Sequence, residues 1–365
     1  MSKAAELAAL IGSGQAQSNR NFIINGAMEI FQRNSSVSSV SDNTYVVQDR
    51  MNFFFSNDGV ISVFASSDHP TGAGFSKSLK VDVTTADTSI AAGQYFGINQ
   101  RIEGYNHAQL EYGTSSAKSI VVSFYAKSNL TGPFCYSVKN NASDRSFPIE
   151  FSLSAANTWE RISFTIEGDT SGTWLETNGL GAYHQISLAI GSTFHGTNNT
   201  WQAGNKVATS NQVNLLSSTD NEFFLTGWQV EVGTGAPTAF EHEDYGTTLA
   251  KCQRYYYRLG ESSAYARYTV GQCDSANNCN GVVELPVEMR DTPTIEHTGT
   301  ASNYAVYEAG TVHTCSAVPS INALGSDKNI ANLISYSTGN FAAGNAGELI
   351  SNNNANAYIG FKSEI

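Results

Sequence analysis

The chain has 365 residues, enough for one large domain or two domains of medium size. Its formal net charge is −12, from 32 acidic and 20 basic side chains, which disfavours binding to nucleic-acid phosphates and to anionic membrane surfaces. Only 14% of the residues are charged, and the 17 Tyr and 19 Phe favour pleated β-structure.

The first 18 residues form a separate N-terminal segment, in which the pattern predicts a short helix over residues 2–11. Apolar residues recur there at helical spacing, glycines follow them, and Leu7, Leu10 and Ile11 are the candidate anchoring residues. A helix this short is marginal alone, so it is either a frayed tail or a peg for docking or oligomerisation. Its apolar run is too short for a membrane span, and no other stretch approaches the roughly 20 apolar residues required, so we predict no membrane insertion.

Residues 19–248 are predicted to form an antiparallel β-sandwich, a jelly roll. Strand patterns follow one another, separated by turn clusters rich in Asn, Asp and Gly, and no segment holds a helical period for ten residues as a βαβ unit would require. Examples of the predicted strands are residues 53–55, 59–64, 78–83, 119–126, 161–166, 183–190 and 223–232.

Residues 249–365 are predicted to form a smaller all-β sandwich domain, with shorter strands punctuated by glycines. The fold class is therefore all-β, with two antiparallel β-sandwich domains preceded by a short N-terminal helix. The strands predicted in the second domain cover residues 253–259, 265–270, 281–285, 294–296, 303–307 and 357–362.

The cysteines are odd in number and include no C-x-x-C pair. Cys273 and Cys279 could bridge a small loop, but unpaired thiols in a protein made in a reducing cytoplasm fit the pattern better. The five are Cys135, Cys252, Cys273, Cys279 and Cys315.

Seven short segments, each weak alone, occur in a consistent order. They are 21–33 (NFIINGAMEIFQR), 101–105 (RIEGY), 158–163 (TWERIS), 168–174 (GDTSGTW), 201–204 (WQAG), 227–233 (GWQVEVG) and 251–256 (KCQRYY). In this order the chain after its N-terminal segment resembles bacteriophage tail-fibre and receptor-binding proteins that carry a carbohydrate-binding-type jelly roll.

The resemblance implies a virion structural protein, a tail-fibre or receptor-binding subunit that is assembled in the host cytoplasm and adheres to host surface glycans. It implies a homotrimer, docked on another virion protein through the N-terminal helix. Two alternatives stay open: a capsid decoration or head-fibre protein, and a glycan-degrading tailspike. We expect no enzyme and name no catalytic residue, because the sequence shows neither a carboxylate pair nor a nucleophile motif.

Sugar-binding sites in such folds combine aromatic faces, which stack on apolar sugar faces, with amides that bind hydroxyls. Trp174 and Trp201 are the tryptophans expected to be exposed, because Gly-rich or Asn-rich loops surround them. Tyr95, Phe96 and His195 lie in predicted loops, where binding residues concentrate. Core packing remains the alternative for each tryptophan.

The family resemblance also suggests one structural calcium, and no other cofactor. Such an ion is held by carboxylate and backbone oxygens, and Glu29 and Glu231 are the candidate ligands. The sequence lacks the Asp pair that would complete the site, and the seven His residues show no zinc spacing.

A cluster of tyrosines in the second domain suggests a self-association surface. Alternation that buries Tyr256 would place Tyr255 and Tyr257 on the opposite face, with Tyr265 and Tyr268 near them in sequence. An exposed aromatic face of this size marks an interface more often than solvent, and a threefold fibre would use it.

Overall fold

The computed structural model describes residues 19–260 and 263–365. Nearly all regular elements in these residues are β-strands, and neighbouring strands pair antiparallel, which confirms the all-β prediction. The chain divides into two compact units: the first runs to Thr248 and includes Ile365, and the second covers Leu249–Glu364. The predicted N-terminal helix, with Leu7, Leu10 and Ile11, lies outside the described residues. No helix in the described part of the chain is long and apolar enough to cross a membrane.

The first unit is a sandwich of two antiparallel sheets. Its short helical elements are α1 (Gly104–His107) and the 3-10 turns Ala108–Leu110, Ser192–Phe194 and Leu215–Ser217. Its strands are β1 (Ser36–Val40), β2 (Thr44–Tyr45), β3 (Asn52–Ser56), β4 (Val60–Ser66), β5 (Ser78–Thr85), β6 (Tyr95–Glu103), β7 (Ile120–Ser128), β8 (Gly132–Asn140), β9 (Arg145–Leu153), β10 (Glu160–Ile166), β11 (Leu180–Ile190), β12 (Gln202–Ala203) and β13 (Glu222–Val232).

The strand order of the first unit is that of a jelly roll. The six-stranded sheet has the order β1-β4-β5-β13-β7-β10, and the seven-stranded sheet has the order β12-β9-β8-β11-β6-β3-β2. Strand β13 lies between β5 and β7, and β11 lies between β6 and β8, so the chain crosses repeatedly from one sheet to the other. All seven strands named from the sequence of this unit are present, while β1, β2, β6, β8, β9 and β12 were not among them.

Aromatic side chains from both sheets meet in the core of the first unit. Phe134 of the seven-stranded sheet lies 5.4 Å from Phe223 of the six-stranded sheet, between ring centroids, and Tyr136 lies 6.0 Å from Trp228. All four rings are fully buried. Burial of such rings is the dominant stabilising term for a sandwich of this size.

The segment before β1 packs along β13 without forming a strand. The amide of Phe22 donates to the carbonyl of Val230 (2.9 Å), and the amide of Trp228 donates to the carbonyl of Gly26 (3.0 Å). A Cβ at Gly26 would lie 2.1 Å from the carbonyl oxygen of Trp228, so only glycine permits this approach.

The second unit is also built from antiparallel sheets. One has three strands in the order β14-β23-β17, and the other has seven in the order β19-β18-β22-β15-β16-β21-β20. The strands are β14 (Tyr256–Gly260), β15 (Arg267–Cys273), β16 (Asn278–Glu284), β17 (Thr294–His297), β18 (Tyr304–Glu308), β19 (Thr311–Thr314), β20 (Ser320–Ile321), β21 (Ile330–Tyr336), β22 (Ala346–Ser351) and β23 (Tyr358–Lys362), with a 3-10 turn at Ala301–Asn303.

A helix, α2 (Tyr245–Gln253), spans the predicted domain boundary and replaces the start of the strand predicted at 253–259. It also corrects the predicted tyrosine face: Tyr255 precedes the strand, and Tyr255 and Tyr256 are both buried. Tyr268 is buried as well, and Tyr257 is half-buried against Phe361. The alternation of side chains between the two faces of the strand begins only at Tyr256, so Tyr255 and Tyr257 do not share an exposed face. The exposed aromatic face that we expected therefore does not form.

All five cysteines are buried, and Cys135, Cys273, Cys279 and Cys315 are free thiols, as the sequence predicted. Cys273 and Cys279 are opposite each other on β15 and β16 but are not bonded. Burial raises the pKa of the Cys135 thiol to about 11 and that of Cys315 to about 12. These thiols therefore stay protonated at neutral pH and act as packing residues.

Candidate functional site

A groove of about 440 Å³ lies on the seven-stranded sheet of the first unit, on the face opposite the core. This volume lies within the range of about 300–1,000 Å³ that small-molecule sites occupy. The lining side chains are aromatic, amide or cationic apart from one valine: Phe54, Tyr95, Tyr183, Phe194, Asn43, Asn99, Gln185, Asn205, Arg101, Lys139 and Val207.

The alternation of β6 supplies three of these residues. Successive strand residues point to opposite faces, so Phe96 and Ile98 are buried in the core while Tyr95, Asn99 and Arg101 line the groove. Tyr95 and Arg101 are six residues apart, or about 20 Å along an extended strand. The groove therefore has an aromatic end near Tyr95 and a cationic end near Arg101.

Register places the polar residues of β11 and β8 beside those of β6. Gln185 is opposite Asn99, and Tyr183 is opposite both Arg101 and Lys139. Directly opposed residues share one face of a sheet. The floor of the groove is therefore a patch of three adjacent strands, held by main-chain hydrogen bonds on both sides of β11.

Phe54, Tyr95 and Phe194 form the aromatic end of the groove. The ring of Tyr95 lies 6.1 Å from Phe54 and meets Phe194 edge-on at 5.5 Å, between centroids. The segment that carries Phe194 and Val207 is held against β11, because Ser187 Oγ donates to the carbonyl of Val207 (2.8 Å). These rings are thus fixed by packing before any ligand arrives.

Gly97 keeps this end of the groove open. A Cβ there would lie 2.4 Å from Cζ of Phe54 and 2.3 Å from the carbonyl oxygen of Ile186. The absence of a side chain lets the ring of Phe54 lie over β6. Any larger residue at this position would displace the ring or the adjacent strand.

The amides of the floor are buried but incompletely hydrogen-bonded. Asn99 is 1% exposed, and its Oδ1 has no hydrogen-bond partner among the described residues. Gln185 is 2% exposed, and its Oε1 accepts only a long hydrogen bond from Ser137 Oγ (3.4 Å). Buried polar atoms without partners cost free energy, so their presence in a groove indicates places where a ligand's polar groups bind.

Lys139 is the most unusual residue of the groove. It is 9% exposed, its Nζ donates to Asn205 Oδ1 (3.1 Å), and Nζ lies 4.4 Å from the centroid of the Tyr183 ring. Burial, and secondarily the charge of Arg101, lowers the pKa of Lys139 to about 8. The side chain is therefore still mostly charged at pH 7, at a cost in stability.

The predicted sugar-binding residues Tyr95, Phe96 and His195 have different surroundings in the structure. Tyr95 lies in the groove. The loop assignment of Tyr95 and Phe96 was wrong, because both belong to β6, and Phe96 faces the core at 5.0 Å from Phe55. His195 follows Phe194, but its Nε2 is hydrogen-bonded to the carbonyl of Ile190 (2.9 Å).

The expectation that Trp174 and Trp201 are exposed platforms is corrected. Trp174 is 8% exposed, stacks on His107 at 5.1 Å and donates from Nε1 to the carbonyl of Ser171 (3.1 Å). Trp201 packs edge-on against Trp174 at 5.7 Å and donates to the carbonyl of Glu167 (2.7 Å). Their rings close one part of the core, because each loop folds back over the sandwich.

The carboxylates predicted as calcium ligands have other partners. Glu29 lies outside the strands and accepts from Ser76 Oγ (3.1 Å), whereas Glu231 accepts from the amide and hydroxyl of Thr238 (2.8 and 2.6 Å) and faces Arg20 at 3.4 Å. Within residues 19–260 and 263–365 no group of three or more His, Cys, Asp or Glu side chains could hold a metal. The described residues therefore do not bring Glu29 and Glu231 together as a calcium site.

Sequence reasoning missed most of the groove. Tyr183 and Gln185 lie in a strand that was predicted, and alternation against buried His184 and Ile186 could have identified them as outward-facing. Asn99 and Lys139 lie in β6 and β8, which were not predicted. Phe54 lies within a run of three phenylalanines, a pattern that does not show which ring faces outward.

No protein-family model and no curated protein matches the chain. Solved structures match part of it. The enzymatically active domain of tailspike protein 4 of bacteriophage CBA120 is 12% identical over 58% of this chain, with a TM-score of 0.29. The carbohydrate-binding module CBM4 is 15% identical over 57% of this chain and 98% of its own length, with a TM-score of 0.30.

A third similar structure is TmCBM61 in complex with β-1,4-galactotriose, which is 9% identical over 59% of this chain and 100% of its own, with a TM-score of 0.28. The chain spans only 21% of the length of the tailspike structure. These superpositions are too partial to transfer a ligand or a reaction to this chain.

Proposed function

We propose that the first unit is a glycan-binding module that holds a saccharide in the groove on its seven-stranded sheet. The observation that carries this proposal is the convergence of fixed aromatic rings with buried, incompletely bonded amides. Aromatic faces bind the apolar faces of sugar rings, and amides bind hydroxyls. Tyr95 and Phe194 supply the rings, and Asn99 and Gln185 supply the amides.

We propose a binding role rather than a hydrolytic one for this groove. Glycoside hydrolysis by the usual mechanisms needs two carboxyl groups, about 5–5.5 Å or 6.5–9.5 Å apart. None of the described residues that line the groove is Asp or Glu. A saccharide held there meets amides, aromatic rings and cations, none of which is the carboxyl pair of a glycosidase.

A direct test compares glycan binding by the full chain with binding by two tyrosine variants. Tyr95→Ala removes a ring from the groove and is expected to weaken binding about tenfold, the size of a lost aromatic contact with its buried area. Tyr265→Ala, at a tyrosine that is 52% exposed in the second unit, is the matched control and should bind as the original chain does. Equal binding by all three proteins on a glycan array would overturn the proposal.

We propose further that this module belongs to a phage tail-fibre or receptor-binding subunit located in the virion. The support is the sequence resemblance carried by seven ordered segments, from 21–33 to 251–256. In that role the protein would be a homotrimer, attached to another virion protein through its N-terminal segment. Three copies would convert weak individual contacts into avid adhesion.

Adhesion is tested with labelled full chain and with a chain that lacks residues 1–18, each incubated with a panel of bacterial strains. Equal binding of both proteins to the same strains is expected, because the groove lies in the first unit. Binding to no strain would refute the adhesion role. Light scattering tests the trimer, for which the expected mass is three times 39.1 kDa.

A further inference from the structure

Lys139 is a buried cation without a counter-ion. It is 9% exposed, and no carboxylate among the described residues lies within salt-bridge distance of its Nζ. Its contacts are the amide oxygen of Asn205 and the face of the Tyr183 ring. Buried charges in proteins are normally paired, because neither an amide dipole nor a ring replaces the lost hydration of an ammonium group.

A second cation lies on the same ring but is already engaged. The guanidinium of Arg101 lies 5.7 Å from the centroid of Tyr183, and it donates to an oxygen of Ile365 (2.5 Å) and to Asn52 Oδ1 (3.3 Å). The Nε of Arg101 has no hydrogen-bond partner in the described part of the chain. Arg101 therefore contributes positive potential to the groove, while Lys139 is the cation in the lining whose charge is left unmatched.

This local charge opposes the charge of the protein as a whole. The chain carries a net charge of −12, yet its groove is lined by two cations and no acid among the described residues. A low-dielectric groove strengthens the attraction between Lys139 and an incoming anion. The arrangement thus favours binding of an anion in this groove.

We propose that the saccharide bound in this groove is acidic, and that a carboxylate on the sugar pairs with Lys139 at the cationic end. This inference rests on the proposed glycan-binding function and specifies its ligand. A single carboxylate matches the single unmatched charge, with Arg101 Nε and the amides of the floor as further donors. A neutral saccharide would desolvate Lys139 further without supplying a counter-ion.

An ion pair with the ligand would reverse the effect of burial on Lys139. Burial lowers the pKa of Lys139 to about 8, whereas a bound carboxylate favours the charged form and raises it. Among the described residues, Arg101, Tyr183 and Asn205 face Lys139 and no Asp or Glu lines the groove, so an acidic ligand would supply the counter-ion.

The test uses a panel of immobilised bacterial polysaccharides that contain uronic acids, each paired with its carboxyl-reduced derivative. Three full-length proteins are compared: the original chain, Lys139→Met and Lys118→Met. Lys118 is an exposed residue that pairs with Glu111 (2.7 Å) outside the groove, so its variant matches the change in net charge. The original chain and Lys118→Met should bind the acidic member of a pair about 10–100-fold more tightly than the reduced member.

The expected result for Lys139→Met is the loss of this preference, with weak residual binding to both members of the pair. If the original chain binds acidic and reduced polysaccharides equally, and Tyr95→Ala weakens both, the acidic inference is overturned while the glycan-binding function stands. If no member of the panel is bound at millimolar concentration, both proposals fail. A preference for the acidic member that survives in Lys139→Met also refutes the assignment.

Discussion

Replacing Lys139 by methionine should stabilise the protein at neutral pH, although it removes a side chain that makes a hydrogen bond and a ring contact. Methionine has a similar length and keeps the aliphatic packing of the lysine stem. It removes the cost of keeping an ammonium group at 9% exposure without a counter-ion.

The pKa of Lys139 gives the size of the effect. The folded value is about 8 and the ordinary value is 10.5, so folding disfavours the charged form by roughly 3 kcal/mol at pH 7. The variant loses the hydrogen bond to Asn205 and the contact with the Tyr183 ring, which together contribute about 1–2 kcal/mol. The expected net gain is about 1–2 kcal/mol, or roughly 3–6 °C in Tm for a unit of this size.

The sign of the pH dependence is fixed by the direction of the shift. Lowering the pKa of a base means that the folded state binds fewer protons than the unfolded state between pH 8 and 10.5. The penalty is fully present below pH 8, shrinks as pH rises through this window and is absent above 10.5. The advantage of Lys139→Met should therefore be largest at pH 7 and disappear near pH 10.5.

Urea denaturation followed by tryptophan fluorescence measures this effect in the relevant unit, because all four tryptophans lie there. Lys118→Met, at an exposed lysine paired with Glu111, is expected to change the free energy of unfolding by less than about 0.5 kcal/mol. A Lys139→Met variant that is less stable at pH 7, or that keeps its full advantage at pH 10.5, would refute the reasoning.

Three further predictions concern the same unit. Trp174→Ala should lower the free energy of unfolding by about 3–5 kcal/mol in urea titrations, because the ring stacks on His107 in the core. Gly97→Ala should weaken glycan binding and lower Tm by several degrees, because the new Cβ would lie 2.3 Å from a main-chain oxygen; unchanged binding and Tm would contradict this account of the floor. Burial lowers the pKa of His107 to about 4 and that of His184 to about 3, so the unfolded state gains protons first as pH falls below 6.5. The free energy of unfolding from urea titrations should therefore fall between pH 6.5 and 4.5, by about 2 kcal/mol per histidine, and His184→Gln should flatten the profile.

The sequence predicted the strands whose alternation or apolar content was strong and missed β6 and β8, whose groove-facing residues Asn99 and Lys139 are polar but buried. Strand β13 reads as apolar residues with few interruptions and was found within one residue of its bounds. Strand β6 reads YFGINQRIE, where Gly97 and Asn99 disfavour β-structure by intrinsic propensity. Pairing with β11 and β3 on its two sides holds β6 in the sheet despite that propensity. This pairing depends on the fold and cannot be read from the segment alone.

The residues of the candidate site were hard to predict for the same reason, because their positions depend on the fold and not on their sequence neighbours. Trp174 and Trp201 were expected to be exposed because their neighbours are typical of loops, but loops that fold back over a sandwich bury their aromatic residues. Tyr95 was found for a mistaken reason, since it lies in a strand and not in a loop. A site formed by Tyr95, Tyr183 and Lys139 joins three strands that are far apart in sequence, so single-strand patterns do not predict it.

The stability and binding experiments on Lys139 constrain each other. If Lys139 is a structural residue that its surroundings happen to bury, Lys139→Met should raise stability and leave acidic and neutral glycans equally bound. If the lysine is kept for an anionic ligand, the same substitution should raise stability without ligand and lower it relative to the original chain once saturating acidic glycan is added, because ligand stabilises the folded state by RT ln(1 + [L]/Kd). At a ligand concentration 100 times the Kd of the original chain this linkage contributes about 2.7 kcal/mol. Lys139→Met, which binds acidic glycan about 10–100-fold more weakly, gains about 0.4–1.4 kcal/mol at the same concentration, so ligand favours the original chain by about 1.3–2.3 kcal/mol. That difference offsets the expected gain of about 1–2 kcal/mol from removing the unpaired charge, so the Tm advantage of the variant should disappear or reverse.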